Sequence, residues 1–151
     1  MGLWDNFKGK AEEMNEGLQK NIGKFKNQKF SDASMAMCAL VAAADGDIDA
    51  SERKKTAAFI MSNESLQVFD AADLKVKFDF YCDKLIADFD FGRIDAIQAI
   101  GKLKGKDDQA RACIQLGIVI GGADGDFDAD EKKAVKDACL AVGINPSDFD
   151  V

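Results

Sequence analysis

Histidine is absent from the 151 residues. Its absence removes the commonest general base near neutral pH and the imidazole ligands of ordinary zinc, copper and non-haem iron sites. There is one proline, Pro146, so nothing before it is interrupted by a missing amide donor. The four cysteines, Cys38, Cys82, Cys113 and Cys139, lie far apart beside apolar residues, with no Cys-x-x-Cys pair. They read as small buried hydrophobes in a reducing compartment rather than as a disulfide framework or a zinc site. No apolar run approaches the roughly 18 residues of a membrane span. The opening residues carry an early acid and no apolar h-region, so no secretory signal is expected and the chain reads as cytoplasmic. Basic charge is also short. The net charge is −7 and the pI about 4.6, which argues against nucleic acid as a partner.

What is present is a repeat. Asp-Gly-Asp-Ile-Asp-Ala-Ser-Glu at residues 45–52 returns as Asp-Gly-Asp-Phe-Asp-Ala-Asp-Glu at 124–131, and six of the eight positions are identical. Each copy gathers at least four carboxylates around one glycine, the density of hard oxygen donors that a divalent cation requires. The likeness extends outward. Residues 38–44 and 117–123 are both apolar helix ends, and residues 53–61 and 132–140 both begin basic amphipathic helices. Each unit is therefore helix, acidic loop, helix.

The hydrophobic content of 47% suffices for one ordinary core, so residues 1–151 read as a single domain with repeat units at about 31–69 and 108–149. Helical periodicity dominates, giving an all-α fold of about seven helices in a compact bundle of two pseudo-symmetric units. Leu3, Phe7, Ala11, Met14, Leu18, Ile22 and Phe25 mark a first amphipathic helix. Further helices are expected over 34–44, over 51–61, from about 70 to 88 with Asp70 or Asp73 as cap and running through Phe78, Tyr81, Leu85 and Ile86, and over 93–104 after a turn at 89–92. Ile94, Ile97, Ile100 and Leu103 would share one face of that last segment. Residues 105–108 read as a loop, and two more helices follow over 109–122 and 131–142, with Gly143 as a left-handed cap.

Two readings of the acidic segments compete. Asp49-x-x-Glu52 and Asp128-x-x-Glu131 each fit a capping box, and Gly46 and Gly125 suit left-handed helix ends. Capping leaves Asp45, Asp47, Asp124 and Asp126 unexplained, and such crowded like charges are better tolerated beside a cation. A regular EF-hand does not fit. With Gly46 at the invariant glycine position, the first and third ligand positions fall on Val41 and Ala43, and in the second copy on Ile120 and Gly122. The candidate metal ligands are thus Asp45, Asp47, Asp49, Glu52, Asp124, Asp126, Asp128 and Glu131, completed by other residues or water. All are hard oxygen donors, so Ca²⁺ is favoured, and Mg²⁺ or Mn²⁺ fits the same donor type. A metal-assisted hydrolase would use paired carboxylates but lacks a histidine base and a phosphate-cradling loop.

The paired Asp-Gly-x-x-x-x-x-Glu motifs, each between an apolar helix and a charged one, resemble the tellurite-resistance TerB family. Phe7 and Lys8, the Gly23-Lys24-Phe25-Lys26-Asn27 run and Val68-Phe69-Asp70 are similar too. The resemblance implies an all-helical, non-enzymatic stress-response module with a metal site at Asp45, Glu52, Asp124 and Glu131. It also implies calcium-binding partners of the TerD type and a membrane partner of the TerC type. Residues 1–30 hold six lysines against four acids, so Lys20, Lys24, Lys26 and Lys29 offer a weak patch for a partner or a membrane surface.

Overall fold

Asn27 begins the first described α-helix by accepting a hydrogen bond from the Phe30 amide at 2.9 Å. The computed structural model describes residues 17, 18, 22–123 and 127–151. Among them lie α1 (Gln28–Ala42), α2 (Ala50–Ser62), α3 (Ala71–Ala87), α4 (Phe89–Gly101), α5 (Asp107–Gly121) and α6 (Ala129–Val142), with short 3₁₀ turns at Ile22–Phe25, Glu64–Val68 and Pro146–Phe149. The expected all-α class holds, with six α-helices and no strand among the described residues. The expected first helix falls largely outside those residues. Within them, Leu18 and Ile22 are buried and Ile22–Phe25 is 3₁₀.

α1 is the axis of the bundle. Phe30, Ala33, Met35, Ala36, Met37 and Ala39 are all fully buried, which covers more than one face, so the helix is wrapped by neighbours rather than laid on a surface. It packs on α3, α4, α5 and α6. It starts six residues earlier than its apolar run suggests, because the Asn27 cap and Phe30 extend it upstream. Phe30 is itself packed against the rings of Phe25 and Phe69.

α3 and α4 form an antiparallel hairpin with a single residue at the joint. Asp88 ends α3, and its side chain accepts from the Phe91 amide at 3.1 Å to cap α4. The expected turn at 89–92 is therefore helix. Gly92 makes the tight joint workable, since a Cβ there would lie 2.7 Å from the Leu85 backbone. The inward face of α4 is Gly92, Ala96, Ala99 and Ile100, continuing to Leu103, whereas Ile94 is 46% exposed and does not belong to it. Ile86 at the end of α3 is likewise 54% exposed. Of the two candidate caps, Asp70 is the one that caps α3, accepting from the Ala72 amide, and Asp73 lies in the first turn.

α5 begins at Asp107, inside the expected loop, after Gly105 turns the chain at φ 88°. α6 ends on Gly143 at φ 74°, the expected left-handed cap, and Asn145 then caps the final 3₁₀ turn that buries Phe149. All four cysteines are buried and free.

Candidate functional site

α1 and α5 meet where α5 has almost no side chain. A Cβ on Gly117 would stand 2.6 Å from Met37 Cγ, and one on Gly121 would run into Val41 Cγ1. Met37 and Val41 are one turn apart on α1, as Gly117 and Gly121 are on α5. The two helices therefore run in the same direction where they touch, and they end side by side. Each leads into one of the acidic segments, so both segments emerge at the same end of the bundle.

The result is one open cleft of about 260 Å³. Asp45 and Glu52 border it from the first copy, and Asp128 and Glu131 from the second. Its apolar floor includes Val41, Phe59 and Ile120. Lys55 and Thr56, one turn beyond Glu52 on α2, also line it. Their helical spacing from Glu52 was the available sequence signal, because residues three and four apart share a face. The basic residues of α2 thus point in two directions. Arg53 turns to α3, donating to Asp83 at 2.8 Å and to Asp79 at 3.1 Å, while Lys55 faces the acids.

Both capping boxes are complete. Asp49 Oδ1 accepts from the Glu52 amide at 2.7 Å, and Glu52 Oε2 accepts from the Asp49 amide at 3.4 Å. In the second copy the corresponding bonds are 2.8 Å to Asp128 Oδ1 and 3.1 Å to Glu131 Oε1. The other oxygen of Glu131 lies over Gly121, 3.3 Å from where a Cβ would stand. Gly46 has φ 90°, the expected left-handed conformation, but α1 has already ended by Ala43, so the glycine shapes the loop rather than the helix terminus. Asp45 Oδ1 then accepts from the Asp47 amide at 3.1 Å.

Asp47 lies away from the shared cleft, beside Ile48, Leu85, Ile86 and Phe89 in a smaller hollow. Asp49 is exposed at the helix entrance and does not line the cleft. Asp124 and Asp126, with Gly125, lie outside the described residues. Among the described residues, no group of three carboxylates or thiols is close enough to hold a metal ion. The donor type suits a hard divalent cation, but the described donors border the cleft without closing on one point.

The thiols are chemically quiet. Burial pushes Cys82 and Cys113 up to about 12 and Cys139 up to about 11, and burial with Cys113 and Cys82 nearby holds Cys38 well above its ordinary value. At neutral pH they are protonated and poor nucleophiles.

A family model described as Tellurite resistance protein TerB matches residues 31–151, which include both acidic segments. The chain belongs to the TerB family. A curated TerB relative, the Tellurium resistance protein TerB of Alcaligenes sp, is 32% identical over 122 residues, covering 78% of this chain and 97% of that protein. No solved structure matches. The TerB match leaves residues 1–30 outside it. No helix among the described residues is long and apolar enough to cross a membrane.

Proposed function

We propose that the chain is a non-enzymatic interaction module of a bacterial tellurite-resistance and stress-response system, and that its shared cleft recruits a hard divalent cation. The observation behind this reading is the convergence of Asp45 and Glu52 with Asp128 and Glu131 on one cleft, although Glu52 and Asp128 are seventy-six positions apart in the sequence. Ca²⁺ suits several flexible carboxylates and waters best, and Mg²⁺ or Mn²⁺ can use the same donors. Asp124 and Asp126, adjoining the cleft in sequence, would complete the set, with Asp47 and Asp49 supplying charge nearby. A bound cation would neutralise the crowded acids and tie the two loops together, stabilising the fold by mass action.

Residues 1–151 act as one domain in this reading. Units 31–69 and 108–149 are related by an approximate twofold running along the α1–α5 contact. The non-enzymatic assignment rests on the missing histidine and the buried thiols. TerD-like and TerC-like proteins are the proposed partners, at the cytoplasmic face of the membrane, where exposed Lys26 and Lys29 offer basic contacts.

A metal-free scaffold is the second reading. Both capping boxes are complete without an ion, so the Asp-x-x-Glu tails already have a structural role. An NMR titration of metal-free protein with CaCl₂, MgCl₂ and MnCl₂ separates the two. Saturable shifts or broadening at both acidic segments, with a raised melting temperature, support the cation site. Unchanged spectra and melting at millimolar cation leave the scaffold.

A further inference from the structure

The outer face of the α3–α4 hairpin is apolar and uncovered. Phe91 is 70% exposed, Val76 68%, Phe80 51% and Ile94 46%. These are large fractions for side chains whose burial is ordinarily favourable, and they sit on two adjoining helices rather than scattered. Lys84 joins the two ends of the patch. Its ammonium lies 5.0 Å from the centroid of the Phe80 ring and 3.0 Å from Asp95 Oδ2. Phe80 and Tyr81 border a groove with Gln98, Ala99 and Lys102, while Gly92 touches Leu85. The hairpin is therefore in register with Phe80 on one side of the Lys84–Asp95 pair and Phe91 on the other.

Charge follows the same axis. Asp90 stands beside Phe91 at one end of α4, and Lys102 stands beside the Phe80 groove at the other. Both are exposed, and neither makes an ion pair among the described residues. The face is thus acidic at its Phe91 end and basic at its Phe80 end, with apolar side chains between.

We propose that this face is a self-association surface, on which a second copy of the chain docks about a twofold axis passing near the Lys84–Asp95 pair. A twofold contact is made by the same patch on both copies, so each residue meets the partner's opposite end. Phe80 of one copy then covers Phe91 of the other, and Lys102 of each copy faces Asp90 of the other. An arrangement turned by half a revolution would set Asp90 against Asp90 and Lys102 against Lys102, which like-charge repulsion disfavours. The two hairpins together make a four-helix layer, the usual way for exposed helical stripes to bury themselves.

The test is sedimentation equilibrium on the full chain from micromolar to millimolar protein. A monomer–dimer equilibrium is expected. Phe91→Ala should weaken it by about a hundredfold, since the Phe80–Phe91 contact is lost twice per dimer. Asp90→Lys and Lys102→Asp should each weaken it by roughly three- to tenfold, with two rim pairs affected. The double variant Asp90→Lys/Lys102→Asp should recover the wild-type dimer. The variants change exposed positions, and far-UV circular dichroism checks that each remains folded. A wild-type chain that stays monomeric throughout, or a dimer indifferent to Phe91→Ala, overturns the proposal. Failure of the double swap to recover association overturns the docking geometry.

Discussion

Asp128 and Glu131 satisfy each other's backbone amides at the start of α6, with the Glu131 amide donating to Asp128 Oδ1 at 2.8 Å and the Asp128 amide donating to Glu131 Oε1 at 3.1 Å. The same reciprocity holds between Asp49 and Glu52 on α2. Three of the four cleft acids, Glu52, Asp128 and Glu131, thus hold their helices whether or not an ion is present. Asp45 has no such role. Its carboxylate only shapes its own loop by accepting from the Asp47 amide.

This division predicts different behaviour for the two classes of acid. Asp49→Ala and Asp128→Ala should each destabilise the fold by about 0.5–2 kcal/mol. For Asp49, which does not line the cleft, that loss should be the same in chelator and in millimolar Ca²⁺, whereas Asp128→Ala should also forfeit part of the stabilisation that added cation provides. Asp45→Asn should leave the metal-free stability nearly unchanged and reduce only the stabilisation that added cation provides. Urea denaturation with and without Ca²⁺ reads both. Equal, cation-independent losses for all three variants would remove the case for a cation at Asp45.

Lys55 gives a second test of the cleft. It lies one turn from Glu52 and lines the same cleft, so an entering cation meets an ammonium as well as the carboxylates. Lys55→Met retains most of the apolar stem and removes the charge. Divalent-cation affinity should tighten by about three- to tenfold at low salt, and by less as salt screens the interaction. Calorimetric titration at two ionic strengths measures it. An unchanged Kd at low salt would mean that the ammonium does not act on the cation.

The parts of this architecture legible in the sequence are those set within one helical turn. The capping boxes, the Asp70 cap and the Gly143 terminus depend on residues two to four positions apart, and each is found where the residue types indicate. The Asp88 joint is also local, yet a single residue closing one helix and opening the next leaves no loop to see, so the Phe89–Gly101 helix reads as starting late. The exposure of Ile86 and Ile94 has a different origin. Helical spacing shows which residues share a face but not which face meets a neighbour, and that is decided here by the close approach of Gly92 to Leu85. The meeting of the two acidic segments depends on the α1–α5 contact. Gly117 and Gly121, four apart in a helix of otherwise larger residues, were its sequence trace.

Arg53 anchors the exposed α2 to α3, and its effect should be visible at Asp79. Burial alone would raise the Asp79 carboxyl, but hydrogen bonds and charge from Lys75 and Arg53 outweigh it and hold the group below the usual value. A depressed folded pKa contributes stability that is present above the unfolded value of about 3.9 and is lost as pH falls through the folded value. In Arg53→Met the Asp79 pKa should rise, and the acid limb of the stability curve should become shallower below about pH 4. Carboxyl carbon NMR titration of Asp79 provides the residue-level measurement. An unshifted Asp79 in the variant would assign the depression to Lys75 alone.

The buried thiols predict the opposite pH dependence. With Cys113 and Cys82 held up to about 12 and Cys139 up to about 11, native thiols stay protonated under conditions that ionise those of an unfolded chain. A raised folded pKa contributes stability that is fully present below the unfolded thiol value of about 8.5 and is lost as pH rises toward the folded one. Stability measured in urea should therefore fall between about pH 8.5 and 11. Cys113→Ala should flatten that decline at the cost of some packing. In native protein at pH 8, a disulfide reagent should modify the thiols only at the rate of opening, whereas all four cysteines should react at once in denaturant. Rapid modification of even one thiol in the folded chain would contradict the burial of that residue. It would also reopen a direct thiol reaction with tellurite, which four protonated, enclosed sulfurs disfavour.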